Sequence, residues 1–397
     1  MSSSFRFTPT PASEAGFSAE VLRELPTHLD ALVANGDYPG FVAVLARGDK
    51  LVLGHTTGPH DLQSGAPLRH DTIFALKSMS KPFAAVAMML LHEEGRWAID
   101  DPVSKHLPEF KDIANLPGSA ATREPTLREL FTHTAGFSFG KTLEEMAASI
   151  KALDWGGRRS LTELIGHYAR QPMSYEPGAD WQYSVAMDLQ SEIVERLTGE
   201  RYDLFLKRRV FEPLGMHDTA FVLSAPQARR LAPAYLIDPV SGLMREAVPG
   251  EMDDPIFPMG GSTFKSTALD YARFARMLLN RGELGDVRVL KPESVDLMLS
   301  NLLPEAFLET RRGILHYVVG QGNGHAMNGL VCIDPGRAGR PVGRGTYEWG
   351  GALSTWFWID PENDLLFIGM THRQRSATHL RPPEVVAQEI IYRALIR

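Results

Sequence analysis

The sequence predicts an α+β fold in which helices flank an antiparallel sheet and a mostly helical region is inserted. Runs rich in β-branched and aromatic residues cluster at the two ends of the 397-residue chain, and patterns with helical spacing dominate its middle. Strands at both ends with helices between them indicate one sheet assembled from both ends. We expect a discontinuous α/β domain over residues 1–100 and 255–397, a mostly helical domain over residues 101–254, and a functional site at their interface.

The N-terminal part of the sequence predicts a helix, a hairpin and a second, buried helix. "SAEVLRELPTHLDALVANGDYPG" has helical apolar spacing and ends in glycine and proline, which predicts an amphipathic helix. Two β-rich runs follow, separated by Gly48 and Asp49, which predicts a hairpin. "FAAVAMMLLHEEGRW" is apolar almost all round, so it predicts a buried helix that ends near Gly95.

The middle and C-terminal elements complete the prediction. "TLRELFTHT", "SLTELIGHYAR" and "AMDLQSEIVERLTG" have helical spacing and alternate with loops rich in proline and glycine. In "YEWGGALSTWFWIDPENDLLFIGMTH" we predict two long β runs that flank the turn cluster "DPEND". The pattern of "PEVVAQEIIYRALI" predicts a final amphipathic helix.

Composition and charge exclude several classes of protein. With 44% hydrophobic and 22% charged residues, the chain is neither disordered nor fibrous. Its net charge of −7 is modest and no long run of one charge occurs, which disfavours nucleic-acid and membrane-surface binding. Neither metal-ligand spacing nor a phosphate-binding glycine motif is present, so we expect no metal or nucleotide cofactor.

The single cysteine and the apolar segments of the sequence bear on where the protein is located in the cell. Cys332, the one cysteine, lies among apolar residues and reads as a small buried side chain. The first 17 residues lack the basic and apolar segments of a signal peptide, and "FAAVAMMLL" is too short to cross a bilayer. We therefore expect a cytoplasmic protein.

Two stretches offer a candidate nucleophilic serine. Ser138 lies in "AGFSFG", which matches the G-x-S-x-G pattern of α/β-hydrolases. In those enzymes a strand leads into the serine, whereas the residues before Ser138 have helical spacing with Thr126 as a plausible N-cap. We expect Ser138 to lie in a glycine-rich loop and not to react.

Ser78 in "KSMSKP" is the stronger candidate. Lys81 lies three residues further on, so on a helix both side chains share one face. A serine needs a base to remove its proton, and burial against an apolar helix favours the neutral, basic form of a lysine. Pro82 fits near a helix start, where free N–H groups would also face an oxyanion formed at Ser78. The alternative is a capping serine beside a surface lysine.

Further motifs make the chain resemble a known family. After "SMSK" come "EPGADWQYSV" and "YEWGGALSTWFWIDP", in the order found in serine β-lactamases and penicillin-binding proteins, with "FTHTAGF", "EPLGMHDTAF", "GGSTFKSTALDYARFARMLLN" and "LKPESVDLM" in support. The chain most closely resembles the family VIII carboxylesterases of this superfamily, over nearly its whole length. The resemblance implies a β-lactamase-like fold and a serine hydrolase mechanism.

It also implies roles for individual residues. Tyr183 matches the first position of the second motif, and Trp349-Gly350-Gly351 match the Lys-Thr-Gly of the third. Lys81 and Tyr183 would activate Ser78, and the N–H groups of Ser78 and Ala352 would hold the oxyanion. Trp181, Tyr347 and Trp349 are candidates for the walls of an apolar substrate pocket, and Gly350 and Gly351 would let the substrate approach their strand.

The departures from the family pattern bear on the substrate. Trp349 and Val185 stand where lactamases have the lysine and asparagine that hold a β-lactam. We therefore expect cleavage of short-chain carboxylic esters through a Ser78 acyl-enzyme. The alternatives are β-lactamase or D,D-peptidase activity, acyl transfer to an alcohol or amine, and a non-catalytic scaffold.

Overall fold

The strands of the protein fall into one large sheet and three small ones. A computed structural model describes residues 5–140, 145, 160–238, 240–249, 251–252, 255–309, 318–375 and 381–396. Its strands are β1 (Thr8–Pro9), β2 (Phe41–Arg47), β3 (Lys50–Thr57), β4 (Phe74–Ala75), β5 (Tyr235–Ile237), β6 (Met244–Glu246), β7 (Lys265–Ser266), β8 (Glu283–Leu284), β9 (Val287–Arg288), β10 (Asn323–Ala326), β11 (Gly329–Cys332), β12 (Tyr347–Gly350), β13 (Trp356–Asp360) and β14 (Leu365–Met370).

Helices account for much of the remaining described chain. They are α1 (Ala19–Leu22), α2 (Glu24–Ala34), α3 (Lys81–Glu93), α4 (Leu127–Phe131), α5 (Leu161–Tyr168), α6 (Ala186–Thr198), α7 (Tyr202–Leu206), α8 (Glu212–Leu214), α9 (Ala225–Ala228), α10 (Ala268–Leu279), α11 (Pro292–Leu299), α12 (Glu305–Leu308), α13 (Pro335–Ala338) and α14 (Pro383–Ala394). Several single 3-10 turns connect them, including Lys77–Ser80 before α3. None of the described helices is both long and apolar enough to cross a membrane.

The large sheet is built from both ends of the chain, as predicted. Its eight strands run in the order β1-β3-β2-β14-β13-β12-β11-β10. All neighbouring pairs are antiparallel except β1 and β3, so the sheet is mixed at this one edge. β14 pairs with β2 over six residues from Leu365↔Arg47 to Met370↔Val42. This pairing joins the two ends of the sequence in the middle of the sheet.

The two faces of the sheet bury different helices. Alternate residues of β2 such as Val42 and Val44 belong to the larger hydrophobic cluster, which contains α3 and α10. Phe41 and Ala43 face the opposite way, into a cluster with α1, α2 and α14. A strand alternates its side chains between faces, so covering both faces with helices makes β2 apolar throughout.

The predicted hairpin and buried helix are confirmed. β2 and β3 flank Gly48 and Asp49, and Gly48 has φ 62°, a conformation that glycine adopts without strain. Every residue of α3 from Lys81 to Leu91 is buried. α3 is therefore a central helix, and it carries the candidate base into the interior.

The predicted length of one strand is wrong. The sequence predicts one long β run before "DPEND", but residues 351–355 form a turn that divides it into β12 and β13. Gly351 N–H donates to the Thr355 carbonyl at 2.7 Å, and Ser354 has φ 61°. The turn reverses the chain, so Gly350 pairs with Trp356. β10 and β11 extend the same sheet and were not predicted.

Candidate active site

Ser78 lies on the 3-10 turn Lys77–Ser80, which leads directly into α3. Lys77 has φ 48°, a left-handed conformation that costs a residue with a side chain roughly 1–2 kcal/mol. Surrounding contacts hold the turn: Lys77 Nζ donates to the Met252 carbonyl at 2.8 Å, and Ser80 Oγ accepts from Phe264 N–H at 3.2 Å. The turn therefore presents the Ser78 hydroxyl in a fixed direction.

Ser78, Lys81 and Tyr183 come together at this turn. Lys81 Nζ donates to Ser78 Oγ at 3.2 Å, and Tyr183 OH donates to the same oxygen at 2.8 Å. Lys81 Nζ also lies 4.8 Å from the centroid of the Tyr183 ring. The hydroxyl of Ser78 is thus within proton-transfer distance of two possible bases.

Lys81 is fixed on all sides. Its side chain is buried, and Nζ makes a second hydrogen bond of 2.8 Å to the Gly261 carbonyl. Its own carbonyl accepts from Asn328 Nδ2 at 3.0 Å, and the Asn328 amide pairs in turn with Gln190. Lys81 is thus held at Ser78 by several contacts, and its amine is kept from solvent.

Asp188 is a buried carboxyl that connects to this arrangement through Gly261. Its Oδ1 accepts from Gly261 N–H at 3.0 Å, so it holds the residue whose carbonyl receives Lys81. Burial raises the pKa of Asp188 to about 6, while Lys81 and the Gly261 N–H act in the opposite direction. Asp188 therefore changes charge in the mildly acidic range close to the candidate base.

Tyr183 is held by a hydrogen bond to one loop and by contacts with two rings. Its carbonyl accepts from Phe139 N–H at 3.0 Å, which ties it to the loop that contains Ser138. The His133 ring lies 4.7 Å from its ring at an interplanar angle of 37°, and Trp349 stacks on it at 6.2 Å and 18°. These contacts fix the ring plane and so aim the hydroxyl at Ser78.

Two neutral histidines lie behind Tyr183. The rings of His133 and His325 are 5.6 Å apart and perpendicular. His133 Nδ1 accepts from Ser184 N–H at 3.2 Å, which places its proton on Nε2. Burial lowers the pKa of His133 well below its usual value and that of His325 to about 4. The rings of His133 and His325 are therefore uncharged at neutral pH.

The third motif lies against the Ser78 turn. Trp349 and Gly350 end β12, and Gly351 begins the turn that follows. A Cβ on Gly351 would lie 2.2 Å from the Leu76 carbonyl, just before the Ser78 turn. Thr355 Oγ1 donates to that carbonyl at 3.1 Å. Glycine is therefore required at 351 because protein backbone approaches it closely.

Two backbone N–H groups are predicted from the sequence to hold an oxyanion. Among the residues that the structure describes, neither Ser78 N–H nor Ala352 N–H donates to any acceptor. Both belong to segments joined by the contact of Thr355 with Leu76. Free amides beside a nucleophile are the groups that stabilise a tetrahedral oxyanion.

The aromatic candidates for a pocket wall differ in exposure. Trp349 is partly exposed, whereas Trp181 and Tyr347 are fully buried. Tyr347 OH donates to the Met327 carbonyl at 2.8 Å, and its ring packs on Phe357 in the core. The Trp181 and Tyr347 side chains are both buried in this structure, and their place in a pocket wall stays a prediction from the sequence.

Ser138 has a local structural role. The residues before it form α4 and a loop, with no strand leading into the serine, and Thr126 caps α4 as predicted. Ser138 Oγ accepts from Gly140 N–H at 2.8 Å, which closes a short turn. The strand that a nucleophile elbow requires is therefore missing.

Sequence reasoning missed several residues around the site. "FTHTAGF" was noted as a motif, but nothing in it indicated that His133 packs on Tyr183. Asp188 and Arg375 were also missed, although the position of Asp188 on the inner face of a helix with apolar neighbours was a usable signal. An acidic residue at a buried helix position commonly has a specific partner.

The fold and the grouping of Ser78, Lys81 and Tyr183 define a protein of the serine β-lactamase and penicillin-binding-protein type. The Beta-lactamase family profile matches residues 25–389, and the chain belongs to that family. The resemblance inferred from the sequence motifs is thus confirmed at the level of the superfamily.

Individual relatives refine this comparison. Esterase EstB of Burkholderia gladioli is 30% identical over 86% of this chain and 88% of its own length. Lovastatin esterase of Penicillium rubens is 28% identical over 87% of this chain and 91% of its own length. The solved structure of EstCE1, described as a hydrolase with promiscuous acyltransferase activity, superposes with a TM-score of 0.79 at 22% identity, covering 94% of this chain and 99% of its own. EstCE1 therefore shares the fold.

Proposed function

We propose that the protein hydrolyses short-chain carboxylic esters through an acyl-enzyme formed on Ser78. The observation that carries this proposal is the pair of hydrogen bonds that Ser78 Oγ receives from Lys81 and Tyr183. Esterase relatives that align over most of the chain support the same activity. The protein is a serine hydrolase that acts on esters, and these relatives favour its place in family VIII.

Acylation begins with removal of the Ser78 proton. Lys81 and Tyr183 share hydrogen bonds with Oγ, so the proton passes to this pair as the oxygen attacks the ester carbonyl. The N–H groups of Ser78 and Ala352 hold the negative charge that develops on the carbonyl oxygen. Tyr183 then gives a proton to the leaving alcohol, and the acyl group remains on Ser78.

Deacylation reuses the same groups. A water molecule enters where the alcohol left, and Tyr183 with Lys81 takes its proton as it attacks the acyl carbonyl. The oxyanion again forms between the two amides, and the proton returns to Ser78 Oγ as the carboxylic acid leaves. The fixed ring plane of Tyr183 serves both half-reactions, because its hydroxyl need not move between them.

The residues around Ser78 favour an uncharged ester over a β-lactam. Trp349 stacks on Tyr183 where lactamases have a lysine, and Val185 is a buried apolar side chain where they have an asparagine. Losing one charge-assisted hydrogen bond costs about 1.5–3 kcal/mol, roughly ten- to a hundredfold in affinity. The Trp349 ring instead offers apolar surface beside the nucleophile.

We also propose that the site lies between two domains, residues 1–100 with 255–397 and residues 101–254. The eight strands of the large sheet all come from the first of these. Ser78 and Lys81 belong to the first domain and Tyr183 to the second, so the hydrogen bond from Tyr183 to Ser78 crosses the proposed boundary. A cytoplasmic location stays a prediction from the sequence.

The decisive test compares the two serines. Ser78→Ala abolishes hydrolysis of a short-chain p-nitrophenyl ester and labelling by a fluorophosphonate probe, while Ser138→Ala keeps both. Mass spectrometry of the protein after ester addition then locates the acyl group on the peptide that contains Ser78. Loss of activity in Ser138→Ala together with retention in Ser78→Ala would reverse the assignment, and a wild-type protein that the probe fails to label would indicate a non-catalytic scaffold.

Acyl transfer is the second candidate activity. The structural neighbour EstCE1 is described as a hydrolase with promiscuous acyltransferase activity. Product analysis with an added alcohol or amine separates transfer from hydrolysis, because transfer yields a new ester or amide. A chromogenic cephalosporin tests the β-lactamase alternative in the same assay, and rapid turnover would favour that alternative over the ester.

A further inference from the structure

One arginine contacts the peptide group that supplies the Ala352 amide. Arg375 Nε donates to the Gly351 carbonyl at 3.2 Å, and Ser354 N–H donates to the same oxygen at 3.0 Å. That carbonyl and the Ala352 N–H belong to one peptide unit. The oxygen of this unit is thus occupied by two donors, one of them cationic, while its N–H has no acceptor among the described residues.

Arg375 is itself held in place. The Arg375 backbone N–H donates to the Ala352 carbonyl at 2.8 Å. The backbone and the side chain of Arg375 therefore bind successive peptide groups of the turn. Its Nη1 donates to Glu384 Oε1 at 2.6 Å, on the first turn of α14. α14 therefore orients the guanidinium, and the guanidinium orients the turn that carries Ala352.

We propose that Arg375 is a positioning residue that both fixes and polarises the Ala352 N–H. This inference rests on the proposed function, because it concerns the oxyanion that forms at Ser78. A hydrogen bond to a peptide oxygen draws electron density away from the nitrogen of the same unit, and this strengthens the N–H as a donor. A charged donor has a larger effect than a neutral one.

The expected fall in kcat follows from the effect of removing an oxyanion donor. Removing a whole oxyanion donor lowers kcat by about 10²–10³-fold. Hydrogen-bond cooperativity changes the strength of a bond by roughly 10–30%. Loss of the Arg375 charge should therefore lower kcat by roughly two- to eightfold and leave the KM of a neutral ester nearly unchanged.

Direct binding of the substrate by Arg375 is the alternative, and the experiment must distinguish it from the positioning role. Its side chain is 46% exposed, so it could instead bind the carboxylate of an anionic ester directly. Such direct binding would act on KM, and only for esters with a negative charge. The contact with Gly351 and the ion pair with Glu384 favour the positioning role, because they already occupy Nε and Nη1.

The experiment measures the bond that the oxyanion hole polarises. Wild type, Arg375→Gln and Arg375→Lys are acylated with a 13C-carbonyl ester, mass spectrometry confirms the adduct on Ser78, and rapid-mixing infrared spectroscopy records the acyl carbonyl stretch. We expect Arg375→Gln to shift this band to higher wavenumber, with the roughly two- to eightfold loss in kcat. Arg381→Gln is the matched control, since it removes an arginine that pairs with Glu389, and we expect no shift.

The remaining outcomes either overturn the inference or leave the decision to the Arg375→Lys variant. A band unchanged in both Arg375 variants overturns the inference, as does a loss confined to the KM of a carboxylate-bearing ester. If Arg375→Gln does not fold, the band of Arg375→Lys decides, because a lysine lacks the planar fork that meets Gly351 and Glu384 together. Absence of a Ser78 adduct in wild type overturns the proposed function and this inference with it.

Discussion

The hydroxyl of Tyr183 donates a hydrogen bond of 2.8 Å to Oγ of Ser78, from a loop that lies 105 residues further along the chain. The Tyr183 ring contacts the rings of His133 and Trp349, and these contacts oppose its rotation away from Ser78. The contact is therefore a property of the folded site and not of a flexible side chain.

Tyr183→Phe tests the role of this hydroxyl. The variant keeps the ring and its stacking but removes the oxygen, so we expect kcat to fall by about 10²–10⁴-fold with little change in the thermal unfolding midpoint. Steady-state hydrolysis of a p-nitrophenyl ester measures the effect. A variant with wild-type kcat would show that Lys81 alone activates Ser78.

Lys81→Arg and Lys81→Met test whether Lys81 acts as a base or only as a charge. An arginine keeps a positive charge and hydrogen-bond donors but does not release its proton in proteins. We expect both variants to lose at least about a hundredfold in the rate of Ser78 acylation, measured by stopped-flow release of p-nitrophenol. Substantial activity in Lys81→Arg would instead indicate a purely electrostatic role.

Gly351→Ala tests the contact between the third motif and the Ser78 turn. The new methyl group would lie 2.2 Å from the Leu76 carbonyl and 2.4 Å from Thr355 Oγ1, so the two segments must separate. We expect a loss of about 1–3 kcal/mol in the free energy of unfolding, with a fall in kcat as Ala352 moves.

Gly166→Ala is the matched control for this substitution. Gly166 lies within α5, where the nearest atom to an added Cβ, Arg170 Nη1, is 3.7 Å away. Alanine there should stabilise the protein by roughly 0.5–1 kcal/mol and leave kcat unchanged. Equal unfolding free energies for the two variants would contradict the proposed contact at Gly351.

Acid sensitivity should depend on buried histidines. Burial lowers the pKa of His372 to about 3 and that of His325 to about 4, so both stay neutral in the folded protein while the unfolded chain binds protons below about pH 6.5. The stability they contribute is therefore lost as the pH falls from about 6.5 toward 4. Asp188 and Asp270 act oppositely, because burial raises the pKa of each to about 6.

His372→Phe isolates the histidine contribution. His372 packs against Phe74 and Tyr235, and its ring nitrogens have no hydrogen-bond partner among the described residues. Phenylalanine fits such apolar surroundings and does not titrate. Urea unfolding at pH 7 and pH 5 should show a smaller loss of stability on acidification in the variant than in wild type, and an equal loss would refute the assignment.

Local pattern was enough to predict the elements and the order of the motifs. The hairpin at Gly48, the buried helix α3 and the cap at Thr126 each depend on residues close together in sequence. The spacing of Ser78 and Lys81 likewise predicted a contact within one turn of helix. Such features follow from periodicity and turn chemistry, which a sequence displays directly.

Features that depend on distant partners were not predictable in the same way. The turn at residues 351–355 requires a left-handed Ser354 and fits against the Leu76 carbonyl, neither of which is visible in "GGALST". The sequence predicts Tyr347 at a pocket wall because aromatic residues near a site suit either role, and only the fold shows that its hydroxyl donates to the Met327 carbonyl. The contact of Arg375 with Gly351 depends on the same long-range assembly.

The pairing of β14 with β2 has a consequence for the protein during its synthesis. Ser78, Lys81 and Tyr183 leave the ribosome well before residues 347–370, which form β12 to β14 and carry the Ala352 amide to the Ser78 turn. On the proposed mechanism, a nascent chain therefore holds its nucleophile without its oxyanion hole until residues 347–370 have emerged. The proposed catalysis then begins only when β12 to β14 have docked, so a chain that stops before β12 should not hydrolyse ester.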